Sequence, residues 1–283
     1  MPGEYGSRDD GVNKPTCARH RDTVTYVSCQ RCGRPTCPRC QRPAAVGVHC
    51  VDCARERART RRTPVTAAGA PLRGGGHPIT QALIIACVAM HVASWIIPAL
   101  RTWFMFVPAL GLSEPWRFIT NAFLHVGFLH LVMNMLALWM IGQALEPILG
   151  RWRYVALYLL SALGGSVALV VLAMNQMDWL TPAVGASGAI FGLFGALFVL
   201  GKKAHTDMRS ISVLIGLNLI YGFVVPNIAW QAHIGGLIVG AAVMWGLITS
   251  AQRRSRIGAG VTIAVVMIVL VAATGAKYAT VFG

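Results

Sequence analysis

Charged residues are scarce in this sequence of 283 residues, and acidic residues are the scarcest of them. Asp, Glu, Lys and Arg together make up 12% of the chain, whereas ordinary soluble domains contain about 25%. Cysteine is also confined, because Cys87 is the single cysteine after Cys53. A chain that is 55% hydrophobic and this poor in charge is not expected to fold as one soluble globular domain.

Long apolar runs fill the chain after residue 77, while residues 1–77 are polar and rich in Arg, Pro and Gly. A membrane-spanning helix needs about 20 apolar residues because the hydrocarbon core is about 30 Å thick. The seven longest runs lie at 78–100, 125–147, 154–174, 186–201, 209–226, 228–250 and 257–276. We therefore predict an all-α membrane protein, a polytopic helical bundle of seven transmembrane helices with a small N-terminal module.

Basic residues alternate from one predicted loop to the next. Fourteen of the 25 Lys and Arg residues precede residue 78. The short loops carry eight basic residues on the N-terminal side of the membrane and three on the other side. By the positive-inside rule, this pattern predicts a cytoplasmic N-terminus and an extracytoplasmic C-terminus. We expect a multi-pass protein of the plasma membrane, in a bacterium. Topology in a lipid bilayer thus accounts for the net charge of +15, and we do not expect nucleic acid as a partner.

The N-terminal module carries paired metal-ligand residues. Each pair is separated by two residues: Cys17 and His20, Cys29 and Cys32, Cys37 and Cys40, Cys50 and Cys53. Four such pairs supply eight ligands, enough for two closed tetrahedral Zn²⁺ sites. The spacers favour a cross-braced arrangement, in which the first and third pairs share one ion and the second and fourth share the other. His49 is an alternative ligand beside Cys50.

These two zinc ions are expected to be structural, because closed four-ligand sites leave no position for catalysis. A disulfide framework is the alternative, and a reducing cytoplasm disfavours it. The module resembles a B-box-like or treble-clef-like zinc finger, for which we expect a cytoplasmic protein partner. The predicted organisation is a disordered N-terminus at 1–15, a double zinc-binding finger at 16–54, a flexible basic linker at 55–77 and a transmembrane domain at 78–276.

Four polar residues lie in the early parts of the second, fourth and sixth predicted helices. They are His130 and Asn134, four residues apart on one helical face, then Ser187 and His233. All three helices run from outside to inside, so their early residues share the outer part of the bundle. Fifteen residues separate Ser187 from the cytoplasmic Lys202, or about 22 Å of helix in a core of about 30 Å. Polar residues at such depth are costly and indicate function.

The chemistry available to these residues is nucleophilic catalysis. A serine hydroxyl needs a neighbouring base to remove its proton, and histidine is the usual base near neutral pH. His233 can act on Ser187, while the Ser187 N–H, His130 and Asn134 can donate to an oxyanion. Because no acidic residue lies at this depth, a Ser–His dyad without a metal is predicted. Phe191, one turn beyond the serine, is expected to pack its ring on the imidazole.

Each of these residues also has a structural explanation when taken alone. A single serine in a membrane helix usually bonds to its own backbone, and small residues usually serve helix packing. Gly188-x3-Gly192 and Gly236-x3-Gly240 are predicted to bring the fourth and sixth helices close together. The joint pattern is far more specific than any one of its members.

The joint pattern resembles that of the rhomboid intramembrane proteases. The matching segments, in the family's order, are Trp116-Arg117-Phe118, Phe123 to Met135, Val184 to Gly192 and Ala232 to Gly240. The resemblance covers about 101–250. It implies that Ser187 and His233 form the dyad and that His130 and Asn134 belong to the oxyanion hole. The extra helix at 257–276 and the zinc finger depart from the simplest family pattern.

The function expected from this resemblance is intramembrane proteolysis. The substrates would be single-span or polytopic membrane proteins, cleaved in or next to a transmembrane segment. An alternative is a non-catalytic membrane adaptor that recruits partners through its zinc finger. A transporter with a zinc-sensing domain is disfavoured, because it predicts intramembrane carboxylates that these helices lack.

Overall fold

A computed structural model describes residues 14–60, 65–71, 76–225, 228–255 and 257–282. The chain divides into two compact units, Met1–Thr63 and Pro64–Gly283. Residues 1–13 of the predicted disordered segment lie outside the described residues, as do 61–64 and 72–75 of the predicted linker.

The N-terminal unit is built around cysteine side chains. A short hairpin pairs β1 (Gln41–Pro43) with β2 (Val48–Cys50) in antiparallel register, and α1 (Val51–Thr60) follows directly. Two clusters of buried residues form its core, and all of their members are cysteines. The helix α1 extends into the predicted linker, because its Ala, Arg and Glu residues favour helix and Asp52 lies in its first turn.

The second unit is a bundle of helices. In chain order they are α2 (Pro78–Ile96), α3 (Ala99–Phe104), α4 (Arg117–Thr120), α5 (Phe128–Leu149), α6 (Arg151–Val171), α7 (Gln176–Leu180), α8 (Ser187–Lys203), α9 (Arg209–Val224), α10 (Trp230–Gln252) and α11 (Gly258–Phe282). Five of them, α2, α5, α6, α10 and α11, are long and apolar enough to cross a membrane. The other two predicted spans, α8 and α9, are shorter, with 17 and 16 residues. The predicted all-α, multi-span bundle is confirmed.

The helices α8 and α10 contact each other backbone to backbone. A Cβ atom added at Gly236 would collide with the carbonyl of Gly188, and one added at Gly240 would collide with the backbone of Gly192. The predicted packing role of these four glycines is confirmed. Because side chains do not separate the two helices here, their N-terminal ends are also held close together.

A loop between α2 and α5 is tied to the segment that precedes α8. Phe106 and Ala183 form an antiparallel bridge, with backbone N–O distances of 2.9 and 2.8 Å. The Phe106 side chain is fully buried and packs on the ring of Phe118, 4.7 Å between centroids. The bridge therefore anchors both segments in the apolar core.

Arg117 closes the same loop from within. It is buried, forms an ion pair with Glu114, and donates hydrogen bonds to the carbonyl oxygens of Thr102 and Met105 at 2.6 and 2.7 Å. A buried guanidinium that is paired with a carboxylate and two carbonyl groups has its hydrogen-bonding needs met. Arg117 therefore stabilises the conformation of this loop.

Glu146 joins α5 to the beginning of α2. The carboxylate is buried and accepts hydrogen bonds from the backbone N–H groups of Ile79 and Thr80, at 3.0 and 2.9 Å. The Thr80 hydroxyl also donates to it, at 2.7 Å. Because the first N–H groups of a helix have no partner within the helix, this carboxylate acts as the cap of α2.

Part of the predicted flexible linker packs on the bundle. Residues 65–71 form a turn closed by a bridge between Val65 and Pro71, and Ala68 and Ala70 are buried. The hydroxyl of Thr66 donates to the carbonyl of Ile148 at the end of α5. The sequence has no apolar periodicity here, and small side chains in a tight turn account for the burial.

Candidate active site and metal clusters

Ser187 is the first residue of α8, at the end of a turn that requires glycine. Gly185 has φ +133°, a conformation that L side chains rarely adopt, and its N–H donates to the carbonyl of Asn121 at 3.0 Å. The turn places the Ser187 side chain half-buried at the start of the helix. The N–H groups in the first turn of a helix have no partner within it, so they remain available to a ligand.

The hydroxyl of Ser187 faces the imidazole of His233. Their Oγ and Nε2 atoms are 2.9 Å apart, although 46 residues separate them in the chain. His233 is buried in the first turn of α10. Among the residues that the structure describes, its other nitrogen, Nδ1, has no hydrogen-bond partner. The geometry matches a nucleophile and its general base, with no carboxylate behind the base.

Phe191 packs flat against the imidazole. The ring centroids of Phe191 and His233 are 4.3 Å apart and the ring planes differ by 8°. This confirms the contact predicted from the position of Phe191 one turn after Ser187. Stacking restricts the plane of the imidazole, and within that plane Nε2 lies 2.9 Å from the serine hydroxyl.

His130, on α5, borders the same space as the serine. A Cβ atom placed on Gly185 would lie 3.1 Å from His130 Nε2 and 3.6 Å from Ser187 Oγ. Asn134 is buried one turn further along α5, and its amide donates to the His130 carbonyl at 2.8 Å. A primary amide has a second N–H, which this hydrogen bond leaves unused.

His125 supports the ring of His130. It is buried at the end of the loop before α5, and the two imidazoles meet edge to face with centroids 5.2 Å apart. Within the described part of the chain neither nitrogen of His125 has a hydrogen-bond partner. Its contact with His130 is therefore one of packing.

The finger contains two clusters of potential metal ligands, each with atoms that lie within 4.8 Å of one another. One comprises Cys17, His20, Cys37 and Cys40, and the other comprises Cys29, Cys32, Cys50 and Cys53. The structure groups the eight predicted residues in the expected cross-braced way, the first pair with the third and the second pair with the fourth. His20 turns Nδ1 toward the sulfurs, 3.3 Å from Cys37 and from Cys40. All the cysteines are free thiols, and His49 belongs to neither cluster.

Charged residues that the ligand spacing does not predict link the two clusters. Asp52 accepts from Arg19 and pairs with Arg34 at 3.4 Å. The hydrogen bond from Arg19 is the main reason that the pKa of Asp52 is lowered. Arg34 also donates to the sulfur of Cys32 at 3.4 Å, which lowers the pKa of that thiol and favours the metal-binding thiolate. The sequence signal for this link is that residues of opposite charge, Asp52 and the two arginines, lie within or just after the pairs of potential ligands.

Comparison with known proteins finds a matching family and several relatives for the helical bundle. A family model described as "Rhomboid domain" matches residues 112–250. "Rhomboid protease GluP" of Bacillus subtilis is 42% identical over 142 residues, which are 48% of this chain and 27% of that protein. "RHOMBOID-like protein 5" of Arabidopsis thaliana is 40% identical over 135 residues, 45% of this chain and 42% of that protein. YdcA of Bacillus subtilis is 35% identical over 149 residues, 50% of this chain and 72% of that protein.

The chain thus spans less than half the length of the first two of these relatives. The segment matched by the family model includes α5, α8 and all but the last two residues of α10, with Ser187 and His233. The two clusters of potential metal ligands and α11 lie outside that segment.

Proposed function

The chain belongs to the rhomboid family, and from that premise we propose that it is an intramembrane serine protease. It hydrolyses peptide bonds in or next to the transmembrane segments of single-span or polytopic membrane proteins. The observation that carries this proposal is the 2.9 Å separation of Ser187 Oγ and His233 Nε2 inside a membrane bundle. An adaptor without catalytic activity has no need of a paired nucleophile and base.

In the proposed reaction, Ser187 Oγ attacks the carbonyl carbon of the scissile bond while His233 Nε2 takes the hydroxyl proton. The tetrahedral intermediate collapses as the imidazolium gives that proton to the leaving nitrogen, and an acyl-enzyme ester remains. Water then attacks the ester, with His233 as base, and the second product leaves with a new carboxyl group. All of these proton transfers use side chains of this chain, and no metal is required.

The oxyanion would be stabilised by the backbone N–H of Ser187 together with His130 and the Asn134 amide. The position that a Cβ atom on Gly185 would occupy is close to both the His130 ring and the Ser187 hydroxyl, which supports this assignment. A single donor of this kind is worth about 3–4 kcal/mol of transition-state stabilisation where it has been measured. Stacking on Phe191 takes the orienting role that a carboxylate has in a triad.

The orientation in the membrane follows from charge. Eight basic residues in the short loops on the N-terminal side, against three on the other, support a cytoplasmic N-terminus and a site that faces outward. We place the protein in the plasma membrane of a bacterium as a multi-pass protein with an extracytoplasmic C-terminus. Its immediate environment is the lipid bilayer, and its substrates reach the site from within it.

The two cysteine-rich clusters are proposed to hold one structural Zn²⁺ each. Thiolate and imidazole ligands in a closed set of four are the ligands typical of structural zinc. The core of this unit consists of the ligands themselves, so we expect folding of the finger to depend on the metal. A cytoplasmic protein is the partner proposed for the finger.

Cleavage of a model single-span substrate in proteoliposomes tests the proposed activity. Wild type should cut the substrate, and Ser187→Ala and His233→Ala should each lower the rate by roughly 10⁴-fold or more. Ser94→Ala is a matched control, because its hydroxyl bonds only to the carbonyl of His91 on its own helix. Cleavage by Ser187→Ala at the wild-type rate would disprove the mechanism.

A fluorophosphonate probe separates the protease from the adaptor without a substrate. Wild type should be labelled covalently, and Ser187→Ala should not be labelled. A properly folded wild type that resists the probe would favour the adaptor that recruits partners through its finger.

A further inference from the structure

The C-terminal end of α11 contacts three separate parts of the bundle, although α11 lies outside the segment that the family model matches. The hydroxyl of Tyr278 donates to the carbonyl of Pro108 at 2.5 Å. The neighbouring Lys277 donates from Nζ to the carbonyl of Ala173, just beyond α6, at 2.8 Å. The ring of Trp179, on α7, lies 5.5 Å from the ring of Tyr278.

Pro108, which Tyr278 contacts, is close in the chain to a segment paired with the residues just before Ser187. Pro108 is two residues after Phe106, which pairs with Ala183 through two backbone hydrogen bonds of 2.9 and 2.8 Å. Ala183 is four residues before Ser187, and the residues between them form the glycine turn at the start of α8. A displacement of Pro108 would therefore shift the backbone that presents Ser187.

Tyr278 is closely packed against the loop that contains Pro108 and Gly111. Tyr278 is 3% exposed, although most of α11 is exposed. A Cβ atom at Gly111 would collide with the Tyr278 hydroxyl and lie 2.9 Å from a ring carbon of Phe118. Close-packed interiors transmit small displacements instead of absorbing them. Tyr278 of α11 therefore packs against this loop without a gap.

We propose that Tyr278 is a positioning residue for the nucleophile. Its hydroxyl holds Pro108, and through the pairing of Phe106 with Ala183 it sets the place of Ser187 and its N–H. This inference rests on the proposed protease activity, and it gives α11 a function in that activity. Tyr278 itself contacts neither substrate nor reacting atoms.

The first test is Tyr278→Phe, which keeps the ring and removes the hydrogen bond. Small misplacements of reacting groups lower rates steeply, so we expect kcat and the rate of fluorophosphonate labelling to fall about tenfold while KM stays near wild type. Thr280→Ala is the matched control, since it removes a hydroxyl bonded to Lys277 on the same helix. Unchanged kcat and labelling in Tyr278→Phe, or a change in KM alone, would overturn the inference.

A second variant approaches the same contact from the loop. Gly111→Ala should displace the Tyr278 hydroxyl and lower kcat. The double variant with Tyr278→Phe should lose less than the product of the two single losses, because both changes disturb the same contact. Additive losses in the double variant would mean that the two residues act independently, and would contradict the proposal.

Hydrogen exchange tests the same connection without any activity. In Tyr278→Phe the amides of 104–111 and 181–186 should exchange faster than in wild type, while those in the middle of α6 should not change. An inactive wild type with this exchange pattern would refute the proposed protease and leave the connection standing. Unchanged exchange at 181–186 would refute the connection itself.

Discussion

The imidazole of His233 lies flat on the ring of Phe191, with centroids 4.3 Å apart and planes that differ by 8°. Within the described residues its Nδ1 has no hydrogen-bond partner, so no carboxylate orients the ring. The ring plane is instead restricted by stacking from the same helix that carries Ser187. Ser187 and Phe191 are thus both on α8, and His233 on α10 contacts the hydroxyl of the first and the ring of the second.

Replacing Phe191 should therefore impair catalysis more than stability. In Phe191→Leu the imidazole loses its stacking partner and samples other rotamers, so we expect kcat to fall roughly 10- to 100-fold. Cleavage assays in proteoliposomes and melting temperatures in detergent measure the two effects. Phe198→Leu, two turns further along α8, should retain kcat. Equal activity of Phe191→Leu and wild type would show that another contact orients His233.

The glycine contact between α8 and α10 should tolerate no side chain. Gly240→Ala brings a methyl group into the backbone of Gly192, so the helices must separate. We expect a loss of about 1–3 kcal/mol in stability and a loss of activity, because Ser187 and His233 lie on these two helices. Gly260→Ala is the control, since nothing lies within 4 Å of an added Cβ there. Native melting and cleavage in Gly240→Ala would contradict the packing described.

Removing the charge of Glu146 should destabilise the bundle. In Glu146→Gln an amide nitrogen replaces one of the oxygens that accept from Ile79 and Thr80, which leaves a buried donor without a partner. We expect a cost of about 1–3 kcal/mol, measured by thermal or denaturant unfolding in detergent. Glu56→Gln, at an exposed position of the finger, should change stability little. Unchanged stability of Glu146→Gln would show that water accepts the hydrogen bonds of the N–H groups at the start of α2.

Metal analysis of the full-length protein should find two zinc ions per chain, as two sets of four ligands require. Cys17→Ser should reduce the content to one ion, because it removes a ligand of a single cluster. Cys87→Ser should leave both ions in place, since Cys87 lies in α2 and belongs to neither cluster. One ion or none in the wild type would refute the assignment of the clusters to zinc.

The local features of the fold could be predicted from local signals. Apolar length located α6 at 154–174 where the helix spans Arg151–Val171, since the length of a membrane helix follows from bilayer thickness. Regular x2 spacing predicted all eight residues of the two clusters, because tetrahedral sites take ligands in close pairs. The helix of residues 51–60 and the packed turn at 65–71 were not predicted, because no apolar periodicity accompanies them.

Composition and short-range spacing were enough to predict the class of protein, the residue types of the candidate site and the residues of the two cysteine-rich clusters, because each of these depends on one helix or loop. Helix packing, in contrast, brings Ser187 Oγ to His233 Nε2 across 46 residues and the Tyr278 hydroxyl to the Pro108 carbonyl across 170. Such pairings depend on how closely two helices approach and on which faces they present. Those are properties of the packed bundle, and no single segment of the chain contains them.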